Sequence, residues 1–297
     1  MYLLLIVSIV FATLNNVALQ YPTKTGKGFN PFLFNIIVAL VWVPILFIYN
    51  AGIQSATVNT FVFGLLYGLV FTGFIFFKCK AMSNGPISIT ALIGCSSFVI
   101  TTIFNAIYWK ESIGFFEAAG IVVALIAIIL SNIDFKRNSR QKETSSLKWK
   151  IYSLFFFLFA GSTGIIFRFH QNVDAENTNE MMIIAASVSV LILFAIWLIG
   201  GGLKKTEENK KTQFDRVIFI VALVCGILSC VYNRLNIYLA GAMPSVLFFP
   251  IFNCSVILLS LCCGCFNYKE KLTLQKTVGV FLGVVAVSLI SRFFGIC

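Results

Sequence analysis

Residues 95–111 read CSSFVITTIFNAIYWKE, and residues 254–270 read CSVILLSLCCGCFNYKE. Laying Cys95 and Ser96 on Cys254 and Ser255 also lays Lys110-Glu111 on Lys269-Glu270. Further along, Gly120, Ala127 and Leu130 fall on Gly279, Ala286 and Leu289. Shared hydrophobicity does not generate a charged dipeptide between two apolar runs, so the match reads as internal duplication.

Outward from these two stretches the chain is a series of ten apolar segments, at 2–20, 31–50, 57–79, 85–108, 113–131, 149–170, 180–201, 216–239, 243–266 and 273–293. A hydrocarbon core about 30 Å thick needs roughly 20 apolar residues per helix, and nearly all ten segments reach that length. Apolar residues make up 59% of the chain and charged ones 11%, with a mean hydropathy of +0.94, which excludes a soluble globular domain. Lipid offers the backbone no partners, so the expected class is an all-α integral membrane protein with ten transmembrane helices. The most charged connection lies near the middle. It divides the chain into a five-helix repeat at 1–132, a loop at 133–148 and a second five-helix repeat at 149–297. Five is odd, so the second repeat runs inverted relative to the first, an architecture that recurs in secondary transporters.

Each half thus ends in a helix, a short Lys-Glu loop and a Gly-bearing last helix: Trp109-Lys110-Glu111-Ser112-Ile113 with Gly120, and Tyr268-Lys269-Glu270-Lys271-Leu272-Thr273 with Gly279. This resembles the EamA-type repeat of the drug/metabolite transporter superfamily, along nearly the whole chain. The resemblance implies a ten-helix bundle that moves small metabolites, amino acids or drugs, often outward, by alternating access. It also implies a cavity lined mainly by helices 1, 3, 4, 6, 8 and 9, with helices 5 and 10 packing the halves together. Two features depart from the family pattern. An Arg common early in the second helix of each repeat is replaced by Phe34-Asn35-Ile36-Ile37 and Met182-Ile183-Ile184-Ala185, and the first helix lacks a Trp-Gly pair.

The net charge of +11 comes from cations scattered through short loops, which suits orientation and anionic lipid rather than nucleic acid. Connections after helices 1, 3, 5, 7 and 9 hold nearly all of them, including Lys24, Lys27, Lys78, Lys80, Lys136, Arg137, Arg140, Lys204, Lys205, Lys210, Lys211, Lys269 and Lys271. The positive-inside rule places that set in the cytoplasm and both termini outside, against the usual orientation of the resembled family. The first segment lacks a basic leader and a small-residue cleavage site, so it reads as a retained helix of a cell-membrane protein.

All eleven acidic residues fall in loops or at helix ends, which disfavours the buried-carboxylate mechanism of lipophilic-cation exchange. Arg168 and Arg234 lie deeper; each either snorkels or offers a positive fork to a carboxylate or phosphate. Tyr232, Asn233 and Asn236 surround Arg234 in the most polar stretch of any helix. The candidate substrate-binding residues are therefore Asn15, Asn16, Tyr67, Ser96, Arg168, Tyr232, Asn233, Arg234 and Asn253, each also able to serve as helix-to-helix glue. Pro250, three residues before Asn253, is expected to kink its helix and free carbonyls. His170, the lone histidine, reads as an interfacial residue at a helix end. Gly64 with Gly68 and Gly279 with Gly283 have the spacing of close helix packing. Nine cysteines, mostly inside apolar runs, do not suggest disulfides, and Cys262, Cys263 and Cys265 lack nearby His or acids, so no metal is expected. No phosphate-cradling motif is present, and no catalytic residue or cofactor is expected. The expected partners are a small-molecule substrate and the bilayer, with the chain acting as a monomer or homodimer. Rival readings are a multidrug exporter, a lipid flippase and a passive channel.

Overall fold

The computed structural model describes residues 1–25, 30–50, 56–85, 87–132, 147–199, 216–268 and 274–292. Among these the chain is helical, with no strand. The helices are α1 (Tyr2–Thr25), α2 (Pro31–Tyr49), α3 (Val58–Asn84), α4 (Ile87–Ser96), α5 (Phe98–Tyr108), α6 (Phe115–Asn132), α7 (Leu147–Val173), α8 (Thr178–Ile199), α9 (Arg216–Ala242), α10 (Ser245–Tyr268) and α11 (Leu274–Arg292), with a short 3-10 turn at Ala175–Asn177. Seven segments are long and apolar enough to cross a bilayer; Phe115–Leu130, Ser245–Ser260 and Thr277–Ile290 are shorter apolar helices. Helix ends follow the apolar segments read from the sequence to within a few residues. The central loop at 133–146 and the Lys269-Glu270 dipeptide lie outside the described residues, as do most of the loop cations that argued the orientation.

The expected helix at 85–108 is interrupted at Ser97, between α4 and α5. The Ser97 hydroxyl donates to the Gly94 carbonyl at 2.7 Å, and the Ser97 amide donates to the same oxygen at 3.3 Å. Ile100 N–H then reaches the Ser97 carbonyl at 3.0 Å, so the chain passes through tightened three-residue turns. A serine that bonds its own preceding turn competes with the helix ladder, and hydropathy does not register that competition.

Contacts divide the chain into two compact units, Met1–Phe76 with Phe169–Tyr238, and Phe77–Arg168 with Leu239–Cys297. Each draws on both sides of the charged loop. In the first unit, α2 starts cleanly because Asn30 accepts from the amides of Phe32 and Leu33 at 3.0 and 3.2 Å, with Pro31 at the first helical position. Phe34 and Val38 of α2 pack with Ile218, Ala222 and Cys225 of α9. Trp42 is fully enclosed, donating to the Ser229 hydroxyl at 2.9 Å and stacking on Tyr67. The Gly64–Gly68 pair packs α3 on α8: a Cβ at Gly64 would stand 2.7 Å from Ile184 Cβ, and one at Gly68 would stand 2.8 Å from Val188 Cβ. That is the close backbone approach its spacing suggested.

In the second unit, α6 packs along α11 through Gly120, Ala124, Ala127, Ala286 and Ile290. A Cβ on Gly120 would meet Ile290 Cγ1 at 2.4 Å. These are the expected helices 5 and 10, and small residues bring them together. Helix α10 runs through Pro250 without ending.

Candidate functional site

One end of the first unit gathers a polar cluster from five helices. Asn50 closes α2, its amide bonded to the Leu46 carbonyl at 3.0 Å. Thr57 and Thr60 cap the start of α3 reciprocally, each hydroxyl accepting from the other's backbone amide at 3.1 Å. Both hydroxyls then donate to Asp174, in the turn after α7. Asn177 donates to the other Asp174 oxygen at 2.7 Å. Partial burial opposes the Asp174 charge, yet the bonds from Thr60, Thr57 and Asn177, with His170 nearby, hold its carboxyl below the usual 3.8.

Beneath this cap runs a relay of charge and amide groups. Arg234 Nε on α9 donates to Asn179 Oδ1 at 2.7 Å. Asn179 Nδ2 donates to Asn50 Oδ1 at 3.1 Å, and Asn50 Nδ2 donates to Glu180 Oε1. Asn179 and Glu180 lie in the first turn of α8, only 5% and 3% exposed. Arginine and carboxylate thus belong to one network but are joined through two amides. Their free edges remain available: Glu180 Oε2 is buried with no hydrogen-bond partner, and among the described residues the terminal Arg234 nitrogens make no hydrogen bond.

His170 lies in the same unit, against the edge of the Phe63 ring, and is 0% exposed. Both of its ring nitrogens are buried with no hydrogen-bond partner among the described residues. The sequence reads it as an interfacial residue at a helix end. In the structure packing encloses the side chain.

Deeper along α9, Asn233 accepts from the Tyr67 hydroxyl at 3.3 Å and donates to the Ser229 carbonyl at 2.8 Å. Tyr232 is half-buried, and its carbonyl accepts from Ser8, whose hydroxyl also reaches Asn236 Oδ1 at 2.6 Å. Asn15 is half-buried and Asn16 exposed on α1. Tyr67, Tyr232, Asn233 and Arg234 therefore belong to one polar region of the first unit.

The other candidates belong to the second unit. Ser96 is half-buried at the α4–α5 break. Asn253 donates to the Phe249 carbonyl one turn back on its own helix at 2.8 Å. Arg168 is held structurally rather than snorkelling. Its Nη1 donates to the carbonyls of Ala240 at 2.6 Å, Met243 at 2.7 Å and Gly241 at 3.3 Å, and Nη2 pairs with Glu111 at 3.1 Å. Trp109 lies under the guanidinium, 5.7 Å from its ring centre. The second Glu111 oxygen accepts from the amides of Ser245 and Val246 at 2.8 and 3.3 Å, at the start of α10. One ion pair thereby satisfies carbonyls at the end of α9 and amides at the start of α10.

Residue-type reasoning singled out Arg234 and its neighbours on α9 but not Asn50, Asn179 or Glu180, and it read His170 as an interfacial residue only. The available signal was the run Asn177-Thr178-Asn179-Glu180 at a helix start, in the same unit as Arg234.

No family model matches the sequence, and no protein of curated function does. A protein of solved crystal structure is similar along 98% of both chains, with a TM-score of 0.75 at 13% identity. At that identity the likeness shows the fold alone.

Proposed function

We propose that the chain is a secondary transporter of the EamA-like kind, not an enzyme: ten spans in two inverted five-helix repeats that rock about a fixed site. It moves small anionic, zwitterionic or polar neutral metabolites, most simply outward, across a cell membrane in which both termini lie outside. The observation that carries this reading is Arg234. Its Nε is fixed by Asn179 while its terminal nitrogens make no hydrogen bond among the described residues, inside a helix apolar enough to span a membrane. A guanidinium oriented from behind presents a planar fork suited to a carboxylate or phosphate. An intramembrane charge kept this way marks a functional site by default. The interruption at Ser97 adds support, since broken helices recur around transporter sites.

The test is a thermal-shift screen of the detergent-purified protein against amino acids, organic acids, sugars, nucleosides and lipophilic cations, repeated with Arg234→Ala. A ligand present at about 100 times its Kd stabilises the fold by roughly 2.7 kcal/mol, enough to register. Stabilisation by an anion or zwitterion, lost in the variant, is the expected result. Stabilisation by lipophilic cations, equal in both proteins, overturns the reading in favour of drug export.

A further inference from the structure

His170 is the one titratable group of the polar cluster whose hydrogen-bonding atoms are all enclosed and all unmatched by protein. Leaving a buried polar nitrogen unmatched is costly, and such atoms in native structures call for an explanation. The groups that act on it, directly or through Arg234, come from several elements. Asp174, in the turn after α7, acts on His170 electrostatically, as does Arg234 on α9. Glu180 on α8 and Tyr49 at the end of α2 act in turn on Arg234. From α3 the neighbour is the uncharged Phe63 ring. Asp174 is already engaged by three donors at the cap, whereas Glu180 keeps one oxygen unmatched.

With Arg234 positive, Glu180 negative and His170 neutral, the buried part of the cluster is balanced. An anionic group arriving on the Arg234 fork leaves it one negative charge in excess, in a setting where uncompensated charge is costly. A proton taken from water onto the unmatched His170 nitrogen restores the balance, and no other bond needs to form or break. Without the anion, that proton would stand beside a second cation.

We propose that His170 is a proton-binding site coupled electrostatically to Arg234, so that a proton and an anionic group enter the cluster together. The anion half of this coupling rests on the reading of Arg234 given above. Linkage is reciprocal, so acid pH tightens anion binding by the same factor by which the anion tightens proton binding. The carried anion and the coupling proton therefore move in the same direction.

The test uses the full chain in lipid nanodiscs with isotope-labelled histidine. His170 is the only histidine, so the spectrum needs no assignment. Its imidazole signals are followed from about pH 4 to 9, a range that spans ordinary histidine titration. A charge within roughly 10 Å at an effective dielectric near 20 is worth about one pH unit, so Arg234→Gln is expected to raise the midpoint by about that much. Arg234→Lys, which keeps the charge, is expected to leave the midpoint near the native one and also controls for folding. A midpoint unmoved by Arg234→Gln, or an imidazole that titrates in neither protein, overturns the proposal. The two readings can fail separately. An anion that stabilises the native protein through Arg234, with the midpoint unmoved, removes the coupling and keeps the anchor. A midpoint that moves as expected, while no anion stabilises the native protein, keeps the proton site and removes the anchor.

Discussion

Glu111→Gln tests whether the Lys-Glu loop is a structural clamp. The carboxylate serves two customers with two oxygens: Arg168 Nη2 on one, and the Ser245 and Val246 amides on the other. Glutamine keeps the shape but has one acceptor and a donor, so its NH2 must face either the guanidinium or the helix amides. At least one charge-assisted bond is lost, worth about 1.5–3 kcal/mol, and Arg168 loses its counter-charge. Removing one partner of a buried pair costs about 3–5 kcal/mol; both side chains are only 12–13% exposed, but the three carbonyl contacts of Arg168 survive. We therefore expect about 3 kcal/mol, which lowers the melting midpoint by roughly 6–12 °C at the sensitivity of a chain somewhat smaller than this one. Tryptophan fluorescence is the natural assay, because Trp109 lies against the Arg168 guanidinium. Arg168→Gln and the double variant complete a cycle, in which a coupling of at least about 1 kcal/mol is expected for contacting residues. A Glu111→Gln protein that melts within about 1 °C of native, or strict additivity in the cycle, would refute the clamp.

Lys110 holds a left-handed backbone, φ 54°, so Lys110→Gly is expected to raise the melting midpoint through relief of about 1 kcal/mol of strain, while Lys110→Ala, equally strained, leaves it unchanged. Equal effects from the two substitutions would mean that the lysine charge matters and the backbone does not. Asp174 is held below its ordinary 3.8, so its stabilisation is present above that pH and is lost as pH falls through the lower folded value. Asp174→Asn should accordingly melt earlier than native at neutral pH, with the two curves converging in acid; a gap that persists at pH about 2 contradicts the assignment.

Much of the helical order was legible because length and apolarity are properties of each segment alone. The Gly64–Gly68 and Gly120 contacts were legible for a related reason: small residues at helical spacing have few uses in lipid other than close approach. The interruption at Ser97 was not, since it depends on a hydroxyl choosing its own carbonyl, a choice that leaves hydropathy unchanged. The candidate site divided along the same line. Arg234 stood out because a charge in an apolar helix is conspicuous. Asn50, Asn179 and Glu180 sit at helix ends, where polar residues are routine caps, and only tertiary packing turns them toward one another. That the His170 ring is enclosed was not legible either, because position along a helix does not report which way a ring points.

The two deep arginines show why residue type alone could not assign roles. A guanidinium has five N–H donors and no acceptor, so its role follows from where those donors go. Arg168 spends its two terminal nitrogens on three carbonyls and a carboxylate, with an indole face closing a further side. The carbonyls belong to a helix end and the carboxylate caps a helix start, so every one of those partners would be left exposed if a ligand displaced the arginine. Such a group resists exchange. Arg234 is held the opposite way, by Nε alone, from an asparagine that is itself braced by Asn50. That bond fixes the plane of the fork while its outer edge makes no hydrogen bond among the described residues, and a ligand arriving there displaces none of them. The difference also explains the Lys-Glu dipeptide of the first half. The amide of Glu111 bonds back to the Ala106 carbonyl at 2.9 Å, and that of Lys110 to the Ile107 carbonyl at 3.4 Å, which closes α5 in a Schellman turn. The residue just past such a turn is directed away from the helix axis, and here it delivers the carboxylate to Arg168 and to the start of α10. The dipeptide that suggested duplication in the sequence thus serves, in the first half, to join helices, and it takes no part in the polar cluster around Arg234.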